Sequence, residues 1–330
     1  MSYQIIDANR QVGVVETLCG ALGVSVSGYY ARRSREPSQH QQTDAALLKA
    51  IQAAYQAGRG LYGSPRIHAA LQQQGLRCSR KRVARLMRQA GIYSRRRPKR
   101  RASTTDSRHN RPVAPNLLKR DFSANLPNEK WVGDILGIWT GEGWLYLAAL
   151  LDTYSRLIVG WGMNAYRDEG LVTDALCMAL VRRDIPHDTA LIHHTDRGSQ
   201  YTANEYLALL KAQGVQLSMS GKGDPYDNAM IESFFSTLRA ELTDLQRFAT
   251  RQAARTAVFE FIEVFYNRQR LHSSLGYRSP LSFETAHSSS TKTGQDHTRS
   301  IADIELIRGF YNLALIQNKC KYAFTQRKEY

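Results

Sequence analysis

Three carboxylates carry the strongest chemical signal in this 330-residue sequence: Asp134, Asp196 and Glu232. Carboxylates are hard oxygen ligands, and two or three of them converging from different elements suit Mg²⁺, with Mn²⁺ as its substitute. Two such ions about 3.5–4 Å apart can activate an attacking hydroxyl and stabilise the leaving oxygen of a phosphodiester. Taken singly, each of the three reads more readily as a surface acid. The case depends on the elements that would bring them together.

Asp134 lies in WVGDILGIW, the first of three extended segments that continue with WLYLAALLD and RLIVGWGM and read as a meander. A helix over residues 169–182 follows, then the strand ALIHHTD ending at Asp196, a helix over 203–213, the strand VQLSMS, a glycine loop and a helix from Asn228. In that last helix Ile231, Phe234, Phe235, Leu238 and Leu242 recur at helical spacing, so Glu232 borders the apolar stripe. The order β-β-β-α-β-α-β-α predicts an α/β fold of ribonuclease H-like type, a mixed sheet with helices packed on it. A further helix over 250–267 brings Phe259, Ile262, Phe265 and Tyr266 to core spacing.

Beside the triad, His194 shares the strand face of Asp196 and reads either as a residue that orients a metal ligand or touches DNA, or as a packed histidine. A joint metal site with His193 is disfavoured, because adjacent strand residues point to opposite faces. Lys222 and Gly223 sit in the glycine loop, which could approach phosphates. Asn228 reads as a helix cap and Asp152 as structural, whereas Asn267, Arg270 and His272 read either as DNA contacts or as packing.

The charge is unevenly placed. Residues 1–120 carry 23 basic against 5 acidic side chains, and residues 51–101 carry 14 basic side chains and no acidic one, out of a net charge of +16 for the chain. Such a stretch attracts a polyanion by Coulomb attraction and counterion release, and it lacks the broad apolar face a membrane helix needs. Two all-α, helix-turn-helix-like segments are expected, over residues 1–40 and 44–93. The first has a break at Gly23 and a cap at Ser25 or Ser27; the second has helices over 47–55 and 65–73 and a third capped by Ser79. That third helix turns Val83, Leu86 and Met87 inward and leaves Arg80, Lys81, Arg82, Arg85 and Arg88 outward as DNA contacts. A basic linker over 94–120, containing Arg95, Arg96 and Arg97, could track phosphates. Cys19, Cys78, Cys177 and Cys320 are scattered, which argues against a zinc site or a disulfide framework. With no signal-peptide pattern and no long apolar run, the expected location is the cytoplasm.

Four stretches, GWLYLAALLDTYSRLIVGW, IHHTDRGSQYTANEY, SGKGDPYDNAMIESFFSTLRAEL and YNRQRLHSSLGYRSP, resemble the catalytic domain of bacterial insertion-sequence transposases of the insertion-sequence-three group, second-frame type, kin of retroviral integrases. The 35 residues between Asp196 and Glu232 are the spacing of that family's Asp-Asp-35-Glu signature. ALGVSVSGYYA and GLYGSPRIHAAL with SRKRVARLMRQAGI are similar to its pre-catalytic helix-turn-helix segments, so the resemblance covers about residues 3–286. It implies a catalytic core over 121–286, binding of double-stranded DNA at terminal inverted repeats, and Mg²⁺-dependent cleavage and strand transfer by Asp134, Asp196 and Glu232. It also implies a homo-oligomer in the bacterial nucleoid, with an upstream-frame protein as a further partner. One departure stands out: the family usually reads Thr-Asp-Ile-Thr around its first aspartate, and this chain reads Gly133-Asp134-Ile135-Leu136. That change, with the unmatched tail over 287–330, keeps open an alternative reading as an inactive DNA-binding relative that represses its element.

Overall fold

The computed structural model describes residues 2–11, 13–94, 113–183, 185, 189–221 and 225–291. The chain divides into two compact units, Met1–Ser94 and Arg95–Tyr330. Among the described residues no helix is long and apolar enough to cross a membrane.

The first unit is helical. Helices α1 (Ser2–Asn9), α2 (Val15–Ala21) and α3 (Val26–Ser34) close over Ile6, Cys19 and Tyr29. Ser25 caps α3 by accepting from the Gly28 N–H at 2.9 Å, and Gly23 supplies the left-handed turn before it. α1 has no counterpart in the periodicity of its polar sequence; Ile6 and the bond from the Tyr29 hydroxyl to Asp7 at 2.7 Å hold it. α4 (Gln39–Ala57), α5 (Ser64–Gln73) and α6 (Arg80–Gln89) pack through Ile51, Ala54, Ile67, Leu71, Val83 and Leu86. α4 begins well before residue 44 and runs past the expected 47–55. A capping box starts it: Ser38 accepts from the Gln41 N–H and Gln41 answers to the Ser38 N–H.

The second unit is built on a five-stranded mixed sheet in the order β3-β2-β1-β4-β5. β1 (Lys130–Thr140), β2 (Gly143–Asp152) and β3 (Ile158–Asn164) form the antiparallel meander, and β4 (Ile192–Thr195) and β5 (Gln216–Met219) add in parallel beside β1. On one face α7 (Glu169–Arg183) and α8 (Asn204–Ala212) cover Trp131, Ala148, Leu150 and Val159. α7 can approach because β3 carries glycines there. A Cβ on Gly160 would lie 2.2 Å from the Ala175 carbonyl oxygen, and one on Gly162 would lie 2.9 Å from that of Leu171. The other face receives α9 (Ala229–Leu238), whose Ile231, Phe234, Phe235 and Leu238 are buried.

α9 continues as a π-helical turn, Arg239–Thr243; α10 (Arg251–Phe259), capped by Thr250, likewise continues as Glu260–Tyr266, and α11 (Pro280–Thr291) follows. Two expected boundaries move. Residues 113–120, assigned to the linker on composition, pack on the sheet unit: Leu118 is buried and the Leu117 N–H donates to Ser218 Oγ at 2.9 Å. The start of the expected tail, residues 287–291, continues α11, since a serine-rich run does not by itself end a helix.

Candidate active site

Alternation along β1 turns Trp131, Gly133 and Ile135 toward α7 and α8, and Asp134, Leu136 and Ile138 toward the α9 face. Asp196 follows β4 by one residue, and Gly133 pairs with Thr195 across the parallel β1–β4 ladder. The register therefore brings the first two carboxylates onto neighbouring strands at the same level. Burial, then the charge of Asp196, push Asp134 up to about 7, with Glu232 adding in the same direction. Two like charges in a poorly solvated site cannot both ionise without a compensating cation.

Each aspartate has one oxygen fixed by the backbone. Asp134 Oδ1 accepts from the Ile135 N–H at 2.7 Å and Asp196 Oδ1 from the Gly198 N–H at 2.9 Å. Asp196 Oδ2 is buried without a hydrogen-bond partner among the described residues. Glu232 stands in the first turn of α9 on its exposed side, its carboxyl pushed up by partial burial. Among the described residues no three of His, Cys, Asp and Glu stand together as a ready metal cage. The assembled part is thus the Asp134–Asp196 pair, with Glu232 outside it. An orphaned carboxylate oxygen beside a second, destabilised carboxylate is a donor set that fits a hard divalent cation.

Sequence reasoning did not find Tyr201 or Arg167. Tyr201 is buried edge-on against Tyr206, and its hydroxyl is pushed well up by burial and then by Asp196 and Asp134. The charge of the exposed Arg167 opposes the rise at Asp134, and the backbone carbonyl of this residue accepts from Gln200 Nε2 at 3.0 Å, joining the loops after β3 and β4. A lone Tyr and a lone Arg carry no spacing signal.

The paired histidines face opposite ways. His193 Nε2 meets the Tyr206 hydroxyl at 2.6 Å, and His194 Nδ1 meets Ser218 Oγ at 2.8 Å. Burial holds them neutral, with pKa values lowered to about 3 and about 4. His194 is fully buried and bonded to Ser218 rather than to a triad carboxylate. The departure at Gly133 has a steric counterpart: a Cβ there would lie 2.9 Å from His193 Cε1, while Leu136 is buried in the core.

Asn267 and Arg270 are packing residues. Asn267 brackets the backbone of Ile158, accepting from its N–H at 3.0 Å and donating to its carbonyl at 3.1 Å. Arg270 is buried and forms a two-pronged ion pair with Glu241 at 2.8 and 2.7 Å, with His272 at 3.3 Å from its Nη1. Asp152 is structural, accepting from the N–H groups of Asn128 and Tyr154.

On α6, Arg80, Lys81 and Arg88 are exposed. Arg82 and Arg85 are instead drawn onto Asp44, at 2.7 and 2.8 Å, and hold its carboxyl below the usual range, Arg85 foremost. Their acidic partner lies outside the acid-free stretch of sequence, on α4. Arg95, Arg96, Arg97 and Lys222 fall outside the described residues.

Integrase core domain models match residues 124–225 and 213–280, and an HTH-like domain model matches residues 41–100. The chain is 44% identical over 266 residues to the insertion element IS600 uncharacterized 31 kDa protein of Shigella sonnei, covering 81% of this chain and 97% of that protein. It is 40% identical over 287 residues to the transposase InsF for insertion sequence IS3A of Escherichia coli strain K12, covering 86% and 98%. Among solved structures, the HTLV-2 integrase catalytic core domain in complex with magnesium (trimeric form) aligns at 15% identity and a TM-score of 0.37, covering 49% of this chain and 99% of that one.

Proposed function

The chain belongs to the IS3 family of insertion-sequence transposases, with an integrase catalytic core, and on that premise we propose that it binds the terminal inverted repeats of its element, cleaves there to give 3′-hydroxyls and joins them to target DNA. The observation that carries this reading is the strand register that sets Asp134 beside Asp196, whose Oδ2 is buried without a hydrogen-bond partner among the described residues. Asp134 and Asp196, completed by Glu232, would hold Mg²⁺ or Mn²⁺, which when bound supplies Lewis-acid activation of the attacking oxygen and charge neutralisation at the phosphodiester.

The protein's own groups do the rest. Backbone bonds from Ile135 and Gly198 fix one oxygen of each aspartate and orient the other. Glu232, its carboxyl pushed up by partial burial, would complete the set as the third carboxylate. Arg80, Lys81 and Arg88 offer cations to DNA phosphates, and the basic run with Arg95, Arg96 and Arg97 extends that footprint.

The triad assignment is tested by Asp134→Asn, Asp196→Asn and Glu232→Gln, each measured for end cleavage and for duplex binding by gel shift. Each is expected to lose cleavage by about 10³-fold or more, the scale of a group acting only in the transition state, with binding retained. A variant that still cleaves removes that residue from the triad.

A further inference from the structure

Asn228 occupies the N-cap of α9, where an asparagine side chain ordinarily accepts from a backbone N–H of the first turn. It makes no such bond. Its side chain is buried, and its Nδ2 donates to the carbonyl of Gly133 at 3.3 Å. Because the atom it faces is a carbonyl oxygen, the amide must present its NH₂ there. Its own Oδ1 is buried without a hydrogen-bond partner among the described residues. An asparagine that gives up its cap and leaves a carbonyl unsatisfied is poorly spent on helix stability.

It is well placed to hold two elements in register. Gly133 immediately precedes Asp134 on β1, and Asn228 lies four residues before Glu232 at the start of α9. The preceding residue is clamped as well. Asp227 is buried and its Oδ2 accepts from Asn116 Nδ2 at 2.9 Å and from the Gly221 N–H at 2.8 Å. The entry to α9 is thus tied to β1 by one residue and to the segment before the sheet by its neighbour.

We infer that Asn228 is a positioning residue, whose amide ties the start of the Glu232 helix to the strand carrying Asp134 and so sets the span over which the three carboxylates share a divalent cation. This rests on the active-site reading above. Asn228 acts through Glu232 and touches no reacting atom.

The test compares the full chain with Asn228→Ala and Asn228→Asp. Aspartate keeps the shape and caps a helix well but has no N–H to give Gly133, so it separates a tether from a cap. Hydrogen exchange of the metal-free proteins is expected to quicken over residues 229–235 in both variants, with α7 unchanged. Mn²⁺ binding, followed by the paramagnetic resonance of the free ion, is expected to weaken by about tenfold or more, as for other residues that orient metal ligands. In strand transfer kcat should fall while KM for DNA holds. Wild-type exchange and a wild-type Mn²⁺ midpoint in Asn228→Asp would overturn the inference, and that variant decides the matter if Asn228→Ala does not fold. An unmodified chain that neither binds Mn²⁺ nor joins DNA would count against the transposase reading instead. The exchange comparison needs neither metal nor DNA and would still decide the tether.

Discussion

At the residue scale, burial moves two groups of the sheet unit far from their ordinary pKa values. Asp134 is pushed up by burial and by Asp196, and His193 is pushed down to about 3 by burial against α8. These act on stability with opposite signs. A carboxyl with a raised pKa favours the fold at low pH and that contribution is lost as pH rises through about 7. A histidine with a lowered pKa favours the fold above its unfolded value of roughly 6.5, and that contribution is lost as pH falls toward about 3, because the unfolded chain takes up the proton first. The histidine effect is therefore isolated by difference. His193→Gln, measured beside the unmodified protein in thermal melts from pH 7.5 to 5, should show its largest deficit at pH 7.5, and the gap should narrow as pH falls. Each kcal/mol corresponds to roughly 2–4 °C for a unit of this size. A gap independent of pH would mean that His193 contributes packing alone.

At the element scale the glycines of β3 decide how close α7 can lie. Gly160→Val would drive its side chain into the Ala175 carbonyl and the Ala179 methyl, and overpacking of this kind costs about 1–3 kcal/mol. A lowered melting temperature is expected, while Gly170→Ala, where the nearest atom is 3.6 Å away at the end of Asp168, should be near neutral. Equal effects would remove close approach as the reason for the glycine. The strands and the helix carrying Glu232 were legible because period-2 and period-3.6 patterns are strong there. α1 and the first turns of α4 were not, since polar residues carry those helices and a capping box and one buried isoleucine hold them. The π-helical ends of α9 and α10 were also hidden.

At the scale of the whole molecule, charge is divided between a basic amino-terminal third and a nearly balanced remainder. The excess was legible from composition, but its division among individual arginines was not, because the partner of Arg82 and Arg85 is Asp44 on another helix. Arg80→Ala, Lys81→Ala and Arg88→Ala are each expected to weaken duplex binding uniformly across sequences and to reduce its salt slope by about 1. Arg82→Ala and Arg85→Ala should act mainly on the stability of the helical unit. Equal salt slopes for the two groups would show that the Asp44 pairs open when DNA binds.

On the proposed reading this chain joins DNA ends through Asp134, Asp196 and Glu232. Its most direct test is strand transfer in Mg²⁺ with labelled duplex from the ends of the element that encodes the chain, the unmodified protein beside Asp196→Asn. Joined product is expected from the unmodified protein and none from the variant, with equal duplex binding by both. Joined product from Asp196→Asn, or binding without any joining when an upstream-frame partner is also supplied, would contradict it.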